Sequence, residues 1–468
     1  MLEKNKKVFV IGLDCATPQL VFEKYKDILP NLKRLIENGI SGPLESTHPP
    51  ITVPAWTSMM SSKEPGQLGF YGFRNRKNYT YDDMYFANSK AVKDDRVWDI
   101  LSFNRKRSIV IGVPQTYPPR PLNGEMVASF LTPDTSSDYT YPKALKKEIK
   151  EVVGEYIIDV KNFRTEDKDW LLEQIYEMTE KRFALVNHLL DSREWDFFMF
   201  VEMGVDRIHH GFWKWEDPSH PKYESGHKYN NAIRRYYIYL DKEIGKILKR
   251  LEELQEKEDS EITVLVVSDH GAKAMKGGIC FNEWLIKEGL LTLKEKPKGM
   301  VKVENWMIDW GRTKVWGAGG YYGRLFINVK GREPKGVVPK EEYEKFRDEL
   351  IEKLVGLVDE EGRNIGTKVL KPEESYREVK NIPPDLIVYF GNLDWRSVGS
   401  VGTGSIYTYE NDTGPDDANH DMYGIFIMSG PNTKKEWRED LKIYDVAPTI
   451  LELLGVDVPK DMIGKAVK

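Results

Sequence analysis

Residues Ile262 to Gly271 read ITVLVVSDHG. Six of the first seven are apolar or β-branched with no polar alternation, the pattern of a strand buried on both faces of a parallel sheet. The stretch closes on Ser268-Asp269-His270-Gly271. Ligands of open α/β sheets gather at the carboxyl ends of strands, so an Asp-His pair at such an end faces the functional crevice. Carboxylate and imidazole both ligate zinc and similar divalent ions. An Asp capping the next turn beside a satisfied core His would leave the same letters. The pair therefore needs company elsewhere in the chain.

Outward from this strand the same arrangement recurs. Val8 to Leu13 is a short apolar run followed by Asp14. Trp195 to Met203 (WDFFMFVEM) is another, and it leads into Gly204-Val205-Asp206-Arg207-Ile208-His209-His210. Asp206 and His210 are four apart, so on a helical turn they share a face and can grip one ion, while His209 points elsewhere as a structural residue. Arg107 to Val113 reads as a further core strand, and Tyr423 to Pro431 as the last, preceded by Asn419-His420-Asp421. Amphipathic helices over Asp169–Leu190 and Tyr229–Leu254 separate these strands. The stretch THPPITVPAWTSMMSSKEPG spans residues 47–66. With Pro54 as first helical residue, Thr52 falls just before a helix N-terminus. Free amides and the helix dipole there favour an alkoxide or a phosphate, although Thr is also a common plain N-cap.

The pattern predicts an α/β fold: a doubly wound, mostly parallel sheet flanked by helices. Residues 1–295 and 416–468 form the expected core, and 296–415, rich in Gly and aromatics, an inserted α+β cap region. The polar-aromatic loops 70–91 and 211–227 should help wall the crevice. No GxGxxG follows the first strand, so a dinucleotide site has no support.

Across 468 residues the net charge is −5, with 31% charged residues of both signs interspersed. That balance argues against a nucleic-acid polymer or a polybasic membrane contact as partner, and the charge content is of the kind found in thermostable proteins. The two cysteines, Cys15 and Cys280, form no motif and fit a reducing compartment. The run VFVIGLD near the start is too short for a signal peptide, and no run is long enough to span a bilayer. The expectation is a cytoplasmic enzyme on small molecules, with oligomeric state left open.

Taken in order, the set is an Asp after the first strand, a Thr at a helix start, DxxxH, SDHG and a late His before a strand. This set resembles the alkaline phosphatase superfamily, in particular its type I phosphodiesterase/nucleotide pyrophosphatase branch and the related phosphohydrolase/phosphomutase group. The closing IYDVAPTILELLGVDVPKDMIGKAV is a similar family-like ending. The resemblance implies two divalent ions, zinc first and manganese second. Asp14, Thr52, Asp269 and His270 would hold one, and Asp206, His210 and His420 the other. It implies a phosphoric ester hydrolase with Thr52 as nucleophile and a covalent phosphothreonine intermediate. A phosphomonoesterase, or a phosphoryl-headgroup transferase or phosphomutase on the same scaffold, is the alternative. The diesterase branch carries an Asn about twenty residues past its nucleophile for a phosphate oxygen. Here Phe73 occupies that region with Arg74 and Asn75 beside it, and Arg74 is the candidate, because a guanidinium fork suits phosphate. Thr52-Val53-Pro54-Ala55 lacks the sulfatase CxPxR pattern.

Overall fold

The computed structural model describes residues 4–468. The continuous apolar runs become the middle of a 9-stranded sheet. Its strands are β1 (Asn5–Leu13), β2 (Ile40–Glu45), β3 (Ser108–Ile111), β4 (Gly124–Val127), β5 (Thr140–Tyr141), β6 (Phe197–Glu202) and β7 (Ser260–Val267). After β8 (Gly271–Ala274) and β9 (Ala418–Asp421), which pair only with each other, come β10 (Tyr423–Ser429) and β11 (Glu436–Trp437). Across the sheet the order is β11-β2-β10-β7-β1-β6-β3-β4-β5. The central run β7-β1-β6-β3-β4 is parallel throughout, and β10 lies antiparallel between β2 and β7.

Helices cover both faces. Those used below are α1 (Pro30–Glu37), α2 (Thr52–Ser61), α3 (Lys168–Ser192), α4 (Gly204–Phe212), α5 (Ala232–Glu258) and α6 (Val446–Leu453). Two close approaches require glycine. A Cβ on Gly12 would sit 2.7 Å from Trp56, and one on Gly204 would sit 2.0 Å from the Tyr236 hydroxyl. The first lets α2 settle onto the end of β1. The second lets α4 start directly after β6, where the buried Glu202 carboxylate accepts from the Gly204 amide at 2.7 Å.

Two large hydrophobic clusters divide the chain. The buried members of one run from Val8 to Ala272 and resume at Ala418. The other runs from Ile279 to Trp395. It packs around an antiparallel sheet of strands Val315–Ala318, Gly323–Ile327, Leu386–Tyr389 and Lys368–Leu370, in that spatial order, with the helix Tyr343–Val355 alongside. Among the described residues no helix is long and apolar enough to cross a membrane. Both cysteines are buried and free.

The loops divide differently from expectation. Phe73, Arg74 and Phe86 of the 70–91 loop do line the crevice, whereas 211–227 does not reach it. Trp213 stands edge-on to His209 at 5.1 Å between ring centroids, and Trp215 stacks on His227 at 4.8 Å. Large aromatic surface finds partners within its own neighbourhood before it walls a polar cleft.

Candidate functional site

The parallel register brings the strand ends level. Leu13 pairs with Glu202, and Gly12 with Val267. Asp14, the start of α4 and the Ser268-Asp269-His270 turn therefore emerge together on one edge. The β8–β9 pair adds His420, opposite Ala272. Its ring stacks on His270 with centroids 3.8 Å apart.

Thr52 is the first residue of α2, not its predecessor as the position of Pro54 had suggested. Ala55 is the first amide bonded back, to the Ile51 carbonyl at 3.0 Å. Pro54 has no N–H, so the amides of Thr52 and Val53 are the ones the helix leaves unused. The Thr52 hydroxyl lies 3.2 Å from His270 Nε2.

Around it the acidic and imidazole groups fall into overlapping sets. Asp14, Asp269 and His270 each present one ligand atom within 4.8 Å of the others, as do Asp206, His270 and His420, and as do Cys15, Asp206 and His210. His270 Nε2 is 3.3 Å from Asp269 Oδ2 and 3.8 Å from Asp14 Oδ1. Asp206 Oδ1 is 3.1 Å from His210 Nε2 and 4.0 Å from His420 Nε2.

The far side of each group is fixed by neighbours. Trp56 Nε1 donates to Asp14 Oδ2 at 2.7 Å, and the Cys15 amide donates to Asp269 Oδ1 at 3.3 Å. His420 Nδ1 lies 2.9 Å from the Pro50 carbonyl, and His210 Nδ1 lies 2.7 Å from Asp416 Oδ1. Arg207 takes Asp206 Oδ2 and pairs with Asp159 at 2.7 Å. Four buried atoms then make no hydrogen bond outside the cluster and face one another within it: Asp14 Oδ1, Asp269 Oδ2, His210 Nε2 and His420 Nε2. Buried polar atoms are seldom left unpaired. These lie between carboxylates and imidazoles, the donor set of a divalent cation, so the residues fit such an ion.

The electrostatics point the same way. Burial, then the neighbouring carboxylates, pushes Asp14 and Asp269 well above the usual carboxylate range. Burial draws His270 down to about 4 and His420 well below the usual imidazole value. His210 is the exception. Burial would lower it, but the Asp416 and Asp206 carboxylates hold it up at about 9. The Asp206 carboxyl, despite its burial, is held well below its ordinary value by His210 and Arg207. The cluster concentrates negative charge that positive charge would relieve.

The site opens into a cavity of about 490 Å³, lined by Thr52, Asp206 and His420 at its base and by Phe73, Phe130, Phe163 and Tyr322 on its walls. Arg74 stands exposed on its rim with its guanidinium 4.9 Å over Phe86. Asn75 takes no part in the cavity. It clamps its own loop, accepting from the Tyr71 amide at 2.7 Å and donating to the Gly72 carbonyl at 2.8 Å. A larger cavity, about 640 Å³ and lined by Lys7, Glu261 and Lys468, sits at the opposite ends of β1 and β7 and touches none of the candidate residues. Its mixed charges have no convergent chemistry. His209, as expected, turns away and lies 3.1 Å from the Tyr237 hydroxyl.

Sequence reasoning missed Asp416. It is fully buried and receives Arg164 at 2.9 Å and Arg396 at 3.0 Å besides His210. Its position in a turn-rich segment just ahead of β9 carried no periodic signal.

Comparison with known proteins shows the family and the fold. A family model described as type I phosphodiesterase / nucleotide pyrophosphatase matches residues 8–416, which leaves His420 just beyond the matched segment. No curated protein matches the chain. Among solved structures, human ectonucleotide pyrophosphatase / phosphodiesterase 5 is similar with a TM-score of 0.56 at 14% identity, over 99% of this chain and 97% of that one. The murine counterpart gives a TM-score of 0.55 at 14% identity, over 97% and 96%. An inactive threonine-to-alanine form of the murine protein, in complex with AMP, gives the same values.

Proposed function

Because the chain belongs to the type I phosphodiesterase/nucleotide pyrophosphatase family and is a phosphoric ester hydrolase, we propose that it cleaves phosphodiesters through a covalent phosphothreonine on Thr52 at a two-metal site. One observation carries this reading: the Thr52 hydroxyl, at a helix start, is 3.2 Å from His270 Nε2 within a nest of buried carboxylate and imidazole atoms. We assign Asp14, Thr52, Asp269 and His270 to one ion and Asp206, His210 and His420 to the other. Zinc or manganese bound there would supply Lewis-acid charge to the attacking and leaving oxygens.

The chain's own residues do the rest. Thr52 Oγ attacks phosphorus in line, and the ester oxygen leaves. The amides of Thr52 and Val53 and the α2 dipole favour the alkoxide and the phosphoryl oxygens that replace it. His270 holds the hydroxyl in place. Asp206, His210 and His420 face the opposite side, where water enters to release the remaining phosphomonoester from Thr52. An organic substituent lies against Phe73, Phe130 and Tyr322, and a planar group such as a nucleoside suits those walls. Arg74 on the rim is assigned to phosphate or leaving-group charge. The inactive relative with alanine for threonine and bound AMP supports a nucleotide-like ester as substrate.

Chromogenic phosphodiesters and monoesters, assayed with zinc or manganese, test the reading. Diester hydrolysis should exceed monoester hydrolysis. Cleavage of monoesters alone, or transfer of the phosphoryl product to an added alcohol in place of hydrolysis, would favour the monoesterase or transferase alternative.

Metal uptake should depend on pH through His210. An imidazole must be neutral to ligate, and this one is protonated below about 9. Affinity should therefore rise with pH up to that value, with a proton released on binding. In Asp416→Asn the first cause of the raised value is gone, so the dependence should shift toward the ordinary imidazole range, while affinity at high pH falls roughly 10–100-fold because the ring loses its orienting partner. Calorimetric metal titrations at several pH values check both. For the metal-free fold the sign is opposite. A raised His value stabilises fully below the unfolded value of 6.5 and is lost as pH rises through about 9.

A further inference from the structure

We propose that Cys15 is a ligand of the second metal ion, its thiolate joining Asp206 and His210. The inference rests on the two-metal reading and adds a donor that reading does not contain. Cys15 directly follows Asp14 and is completely buried. Its sulfur, an Asp206 carboxylate oxygen and a His210 ring nitrogen all lie within 4.8 Å of one another. His210 Nε2, buried and aimed into this group, lies 3.1 Å from Asp206 Oδ1 of the same group and makes no hydrogen bond outside it. The thiol donates to the Gly271 carbonyl at 3.5 Å and also faces the Asp206 carboxylate.

Cys15 has φ 69°, in the left-handed region where glycine makes the same turn freely and a side chain is strained. Strain of this kind is concentrated where a side chain is used. Arg207 takes one oxygen of Asp206, which leaves the other for an ion. Burial and the Asp206, Asp14 and Asp269 carboxylates push the Cys15 thiol well above its usual value, so its thiolate belongs to the ion-loaded site. On binding, the sulfur lone pair goes to the metal and the S–H proton leaves to solvent. Cys15, Asp206 and His210 form one ligand group, and Asp206, His270 and His420 form another that shares Asp206 with it. A soft donor in this position selects zinc or cobalt over manganese or magnesium.

Cobalt reports the bond directly. Chelator-treated full-length protein reloaded with Co2+ should show near-ultraviolet thiolate-to-cobalt charge-transfer absorption. The band should persist in Cys280→Ala and vanish in Cys15→Gly, a substitution suited to the φ at that position and checked for fold by circular dichroism. Zinc affinity for the second equivalent should fall at least about 10-fold in Cys15→Gly. Two cobalt ions bound without the band, or a band that survives Cys15→Gly, would overturn the thiolate ligand and leave the two-metal site standing. Protein that binds no cobalt would overturn both.

Discussion

Thr52→Ala is expected to lower kcat for a phosphodiester by at least about 10³-fold, the scale on which loss of a covalent nucleophile acts. The fold should remain. Thr52 packs at a helix start where alanine is also tolerated, and its hydroxyl touches only His270, so the stability change should stay within about 1 kcal/mol. Melting curves and stopped-flow hydrolysis measure the two effects separately. Acid-quenched wild type should carry the substrate's phosphoryl group with its remaining ester on Thr52 by mass spectrometry, and the variant should carry none. A variant that turns over at the wild-type rate would remove Thr52 as the nucleophile.

Chelation should abolish hydrolysis, and added zinc or manganese should restore it. The reason is electrostatic as well as chemical. Asp14 and Asp269 are buried among other carboxylates, which holds both well above the usual carboxylate range, so without an ion the cluster has no positive charge to organise an alkoxide. The same removal should lower the melting temperature, since ions that bind only the native state stabilise it by mass action. Elemental analysis should find two ions per chain in active protein. Full activity with no metal would end the proposal.

Much of this molecule is legible in its letters because the central strands are buried on both faces. Such strands must be apolar throughout, and their ends must change character abruptly, as Val267 to Asp269 and Leu13 to Asp14 do. The resulting carboxylates and histidines converge on one edge because the strands are parallel and in register. What was not legible depends on contacts between distant segments. Asp416 meets His210, Arg164 and Arg396 only in the folded chain. Trp56 donates to Asp14 only because Gly12 leaves room. Cys15 counted merely as one of two unpaired thiols until its backbone conformation and neighbours were visible. Trp213 and Trp215 were expected over the crevice because aromatic content does not reveal which surface it covers.

The antiparallel insertion of β10 between β2 and β7 has a consequence for synthesis. Glu45 must wait for Tyr423, and Val267 for Phe426, so two interior strands emerge from the ribosome long before the one that joins them. Until then each offers an open edge able to pair with another chain. Non-local pairing of this kind slows folding and lengthens exposure to aggregation. His420 arrives on the same late segment, so the nascent chain acquires its last imidazole and its sheet closure together, and a partly made chain carries neither.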